Sequence, residues 1–302
     1  MLTCLLADNK ISKDIIMDIS KISDALFLEA IAALDGGNIP VLKDLIAAYP
    51  RLITERLNYP SGDYFDSPYL LWFIADNPIR NEKLPVNIVE VTALLIAEIK
   101  VHASDTIQKQ LDYALGLVAT GWIPRECGAQ IQLMDALIDA GATPGGGSGA
   151  LAHGNIEAAA HLIKRGGKLT LTTAVGLNWL DDVVRLASSA TDDEKLAALA
   201  MAAFHGKTDM VAYLLSLGVD PNDYPKNGTG FHTHATPLHQ AVCSRSLDSV
   251  KLLIEAGARP DLTDKVYNGT PLGWAKYMPT EDTDEQHQKE YAVIEAYLSG
   301  LQ

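Results

Sequence analysis

The chain has 302 residues, 48% of them apolar and 7% aromatic, and a formal net charge of −14. Such an acidic surface repels phosphate backbones, which argues against nucleic acid and leaves a protein with a basic surface as the easier partner. No run of 18 apolar residues occurs, so no membrane partner or helical membrane span is expected.

In chain order, Ile11, Ile15, Ile16, Ile19 and Ile22 recur at helical spacing, which predicts a capping helix within residues 1–23. Residues 24–48 read as a helix pair. Ser23 or Asp24 can cap the first helix, and Asp35, Gly36, Gly37 and Asn38 form the turn. Residues 58–67 (NYPSGDYFDS) are a loop. There Tyr59, Tyr64 and Phe65 either pack over a neighbouring loop or offer an exposed recognition tip, with Tyr64 and Phe65 as partner-binding candidates. Residues 67–75 form a short helix, residues 76–85 an insertion with two prolines, and residues 86–99 an apolar second helix. A third pair spans 105–119 and 128–140.

Residues 145–149 (GGGSG) read as a loop, or as a hinge between two halves of a helical array. A phosphate-binding loop is a poor fit, because no Gly-Lys-Ser/Thr follows and no buried strand precedes. Helix pairs resume over 150–279. Gly166 and Gly167 stop one, and Trp179 opens the second helix of the next. Thr191, Asp192, Asp193 and Glu194 then supply a cap and carboxylates where the helix dipole favours them. Residues 281–289 look like an acidic insertion. Tyr291, Ile294, Tyr297 and Leu298 mark a last helix within a C-terminal cap over 280–302.

The strongest pattern is residues 236–261, TPLHQAVCSRSLDSVKLLIEAGARPD. Pro237 opens a helix, where its missing N–H costs nothing. Leu238, Ala241 and Val242 line one face, and Gly257 stops the second helix. Residues 270–275 (TPLGWA) repeat TPLHQA after 34 residues, and residues 201–222 carry the same unit. Residues 140–144 (AGATP) echo 256–260 (AGARP). A period near 33 with T-P-L-H resembles the ankyrin-repeat family, specifically over 195–275 and in degenerate form before that.

The resemblance implies an all-α solenoid of about eight helix–turn–helix units with hairpin-like finger loops. It would form one domain over 1–302, with degenerate repeats over 24–144 and repeats over 150–279, most regular from 195. It also implies a non-catalytic protein-binding module, a scaffold, adaptor or inhibitor that uses its fingers and concave face. His239 would serve the loop hydrogen-bond network. The finger candidates are Tyr224, Phe231 and His232 in the long loop 221–236, and Lys265 and Tyr267 in the next. Leu214, Leu215, Leu252 and Leu253 should include the core between repeats.

Signatures of chemistry are missing from the sequence: there is no GxSxG, HExxH or CxxC, and no GxGxxG after a strand. No enzyme activity and no cofactor are expected. Asp181–Asp182 and Asp192–Asp193 are neighbours that point to different helix faces, so they read as N-terminal charges. His232 and His234 are the best metal candidates, yet a structural site wants about four ligands. They support an alternative, a metal- or ligand-responsive regulatory module; a host-directed bacterial-type effector is a further one. Cys4, Cys127 and Cys243 are odd in number and scattered, with Cys243 suited to a small core position. Together with the lack of a secretory leader of the usual form, they suggest the cytoplasm.

Overall fold

The computed structural model describes residues 17–59, 67–226 and 233–301, and every element of three or more residues there is helical. The described chain forms two compact units. One contains residues 17–145 and Ala160–Lys168, the other Gly146–Ala159 and residues 169–301. The division at Gly145/Gly146 falls inside GGGSG.

In the first unit, the stretch expected as a capping helix shows a 3-10 turn at Ile19–Lys21, with Asp18 accepting from the Ser20 N–H. Residues 10–16 of that stretch lie outside the described residues. Helix α1 (Ala25–Asp35) starts where Asp24 accepts from the Leu26 and Phe27 N–H groups. The same carboxylate pairs with Arg51 at 2.8 Å, and the arginine holds it below the usual carboxylate range. Helices α2 (Ile39–Ala48) and α3 (Arg51–Thr54) follow. Leu70–Ala75 is a 3-10 helix whose six residues are all buried. Asp76 then takes a left-handed turn and ends it.

Helices α4 (Ile88–His102), α5 (Ile107–Thr120), α6 (Trp122–Glu126) and α7 (Gln130–Asp139) complete that part of the unit. α1 packs on the 3-10 helix, which packs on α5, and α2 packs on α4. Gln130 is buried and donates to Val118 O at 3.0 Å and Gly121 O at 3.1 Å, which satisfies carbonyls orphaned at the end of α5.

The second unit is the more regular. Its elements are α8 (Ser148–Ala152), α9 (Ile156–Lys164, divided between the units), α10 (Leu171–Leu177), α11 (Leu180–Ala187), α12 (Asp192–Phe204) and α13 (Thr208–Ser216). α14 (Pro237–Cys243), α15 (Leu247–Glu255), α16 (Pro271–Glu281) and α17 (Glu285–Ser299) follow. First helices stack in order, α8 on α10 on α12 on α14 on α16, and α13, α15 and α17 stack beside them. This is the layout of an ankyrin-type solenoid.

Every residue of α12 from Leu196 to Phe204 is buried. Alanine at 197, 198, 200, 202 and 203 lets both neighbours approach closely. Its start is a complete capping box, with Thr191 and Glu194 each serving the other's backbone N–H. Leu214 and Leu253 are fully buried, whereas Leu215 and Leu252 are half-buried, so two of the four expected leucines carry the core.

Two expectations change. The acidic insertion contracts to residues 282–284, because Asp284 accepts from the Gln286 and His287 N–H groups and starts α17 at Glu285. Cys243 is buried, as expected, but disulfide-bonded.

Candidate partner-binding fingers

The finger between α15 and α16 is built on one buried carboxylate. Asp264 accepts from the N–H groups of Val266 at 2.9 Å, Tyr267 at 2.6 Å and Gly269 at 2.9 Å. It also accepts from Trp274 Nε1–H at 3.0 Å, and its own N–H donates to Gly269 O at 2.9 Å. Burial pushes this carboxyl up. The donors from Tyr267, Trp274, Val266 and Gly269 outweigh that and hold it below the usual range. With its backbone satisfied inward, the loop turns its side chains outward. Lys265 and Asn268 are exposed, Val266 is 61% exposed and Tyr267 53%.

His239 locks the base of the finger. Its Nε2 lies 3.0 Å from Gly269 O, and a carbonyl can only accept, so Nε2 carries the proton. Nδ1 therefore accepts from the Thr236 hydroxyl at 2.8 Å. Burial lowers the pKa of this histidine to about 4, so it is neutral at physiological pH. Trp274 meets it edge to face at 5.0 Å. The role that the family resemblance implies for His239 is the one it has here.

The preceding finger is stitched to this one. Lys265 N–H donates to His234 O at 2.8 Å. Tyr224 donates its hydroxyl to Thr263 O at 2.6 Å, and Lys265 Nζ stands 3.9 Å from the Tyr224 ring centroid. The His234 ring lies edge to face with Tyr267 at 5.7 Å, with Nε2 3.9 Å from Asp264 Oδ1. Burial lowers the His234 pKa, with Asp264 opposing that.

The fold thus brings Tyr224, His234, Lys265 and Tyr267 together, in unequal roles. Tyr224 is half-buried and committed to the adjoining finger, while Tyr267 and Lys265 point outward. Phe231, His232, Tyr64 and Phe65 lie outside the described residues. His234 sits in an aromatic and carboxylate setting, and among the described residues no group of three or more metal-ligating side chains occurs. Sequence reading missed Asp264 and Trp274, the hub of the finger. The Asn268-Gly269 turn signal was the available clue: a tight turn needs an acceptor, and an aspartate lies a few residues upstream.

A cleft near Asp223 is lined by Asp192, Asp193, Asp220 and Asp223, with Lys195 among them, over Leu196, Leu217 and Val219. Lys226 Nζ reaches into this acidic setting and pairs with Asp193 at 2.9 Å.

Residues 149–264 match the family model described as ankyrin repeats (3 copies). The match begins well before residue 195 and so takes in degenerate units. It stops before Thr270, although α16 continues the stack. No curated protein matches the chain. Among the described residues no helix is long and apolar enough to cross a membrane.

Proposed function

We propose that this ankyrin-repeat protein is an adaptor or inhibitor that captures one protein partner on the finger carrying Lys265, Val266 and Tyr267. Ankyrin repeats are generally protein–protein interaction modules and typically non-catalytic, which makes binding the starting point. The observation that carries the finer reading is the Asp264 hub. Four internal donors hold it, three of them backbone N–H groups of a loop whose Val266 and Tyr267 side chains stay in solvent. Tyrosine is a good anchor because it covers a large area while losing few rotamers. Lys265 and Tyr224 supply a polar rim. A partner with a basic patch suits the net charge of −14 and the carboxylates at 192, 193, 220 and 223.

The test is affinity capture from native lysate with wild type beside a Val266→Ser/Tyr267→Ala double variant, followed by mass spectrometry. The expected outcome is a protein retained by wild type and lost by the variant, with both chains melting together. Equal retention by both would move the site away from this finger.

A further inference from the structure

Three second helices of the second unit can be compared position by position, because each begins directly after its N-cap: α11 after Trp179, α13 after Lys207 and α15 after Ser246. The first position holds Leu180, Thr208 and Leu247 in turn, the fifth Val184, Ala212 and Lys251, and the sixth Arg185, Tyr213 and Leu252. In α13 and α15 these residues are half-buried, apart from the small Ala212. In α11 the same face is apolar and open, with Leu180 57% and Val184 58% exposed. α11 also packs chiefly on its hairpin mate α10, whereas α13, α15 and α17 stack on one another.

Residues four apart lie on one helix face, so Leu180 and Val184 form a single stripe ~6 Å long. Asp181 and Arg185, also four apart and both exposed, run beside it. Arg185 pairs with Asp182 of its own helix and still keeps its side chain 61% exposed.

This spacing makes the face complementary to itself. Consider a second copy of α11 running the opposite way, with the two-fold axis level with Val183. Asp181 and Arg185 then stand ~3 Å to either side of the axis along the helix. The rotation brings each Asp181 level with Arg185 of the second copy, so the ion pair forms twice. Leu180 lies ~4.5 Å to one side and Val184 ~1.5 Å to the other, so the four apolar side chains interleave as ridges do between packed helices. A guanidinium has five donors, so Arg185 can keep Asp182 while taking the second carboxylate.

We propose that a second copy of this chain docks on α11, antiparallel about a two-fold axis, as a transient dimer. The helix has eight residues and is ~12 Å long. A contact of that length falls short of the ~1,200 Å² that stable complexes bury. The net charge of −14 adds long-range repulsion between copies. Both effects confine the dimer to high protein concentration. The surface is separate from the finger carrying Lys265, Val266 and Tyr267.

Sedimentation velocity on the full chain, over a hundredfold range of concentration, reads the association. Expected is a monomer–dimer equilibrium that Val184→Ser weakens at least tenfold. Asp181→Arg and Arg185→Asp should each weaken it as much, because like charges then face each other. Mixed in equal amounts, these two variants should recover wild-type association, since every arginine then meets an aspartate. Asp181 also lies in the first turn of α11, where the helix dipole favours a carboxylate. Val184→Ser leaves both charges in place and carries the test if Asp181→Arg melts early. Wild type that stays monomeric throughout, a dimer indifferent to Val184→Ser, or folded charge variants that fail to recover on mixing would each overturn the proposal.

Discussion

Two loops in this protein are organised around a buried aspartate, and they put it to opposite uses. In the first unit Asp76 accepts from the N–H groups of Arg80 at 3.1 Å and Glu82 at 2.9 Å, and lies 3.6 Å from the buried Arg80 guanidinium. Arg80 continues to Asp35 at 2.7 Å and Phe73 O at 2.9 Å. In that loop Pro78, Ile79 and the Arg80 guanidinium are drawn inward, while Asn81, Glu82 and Lys83 stay exposed. In the second unit Asp264 takes its donors from backbone and indole, and the side chains of the loop stay in water. Burial raises the Asp76 carboxyl despite Arg80, whereas the donors around Asp264 more than offset its burial. A loop that closes on its own arginine is packing. Both carboxylates are bound by backbone N–H groups, and what sets the Asp264 loop apart is that it has no arginine of its own and leaves Val266 and Tyr267 in solvent.

The comparison can be broken by substitution. The largest effect is expected at Arg80→Ala, which leaves Asp35 and Asp76 without their cation; breaking a buried pair costs about 3–5 kcal/mol, read as a lower denaturant midpoint. Next is Leu253→Ala in the second unit. Its fully buried side chain should cost about 2–5 kcal/mol, whatever happens in the loops. Asp264→Ala strands buried donors at about 1–3 kcal/mol each if they stay dry. It should lower stability and abolish partner capture together. Tyr267→Ala should change stability by less than about 0.5 kcal/mol, as exposed positions do, while weakening capture. A large loss of stability at Tyr267 would mean that the finger is packing after all.

The two aspartates should also separate by pH. Asp264 has a lowered folded pKa, so its contribution is present above the unfolded carboxylate pKa and fades as pH falls through the folded value. Asp76 has a raised folded pKa, so its contribution is present below the unfolded value and fades as pH rises through the folded one. His239, lowered to about 4 from the usual 6.5, adds to the acid side. Its contribution is full above 6.5 and lost as pH falls toward 4. Denaturation from pH 3 to 8 should show Asp264→Asn losing part of the acid-limb slope. For Asp76→Asn the slope should move the other way. Identical profiles would refute the distinction between the two loops.

Much of the architecture was legible because it is written in local chemistry. Thr191 and Glu194 announce a cap, the glycines at 154 and 206 take the positive φ that the inter-helix turns need, and T-P-L-H fixes a helix start with its histidine bonded back to the loop. What was not legible depends on distance in the chain. Tyr224 looks like an exposed anchor until its hydroxyl finds Thr263 O, 39 residues away. Arg56 in a loop, Trp72 in the 3-10 helix and Gln110 in α5 come together, yet they are far apart in the chain and leave no periodic trace. The disulfide at Cys243 could not be read from spacing, since connectivity is a property of the fold.

Helix α12 has one more consequence. A helix dry on every side from Leu196 to Phe204 cannot become an end of the array. A fragment that stops after α12 or begins with it would expose an alanine-rich face with no polar residue to wet it. Truncation series should therefore give soluble products with α12 enclosed between α10 and α14, and sticky, self-associating ones when either neighbour is removed. In engineering terms, α12 cannot serve as an end of the array, and α14, whose seven residues are all buried, sets the same limit.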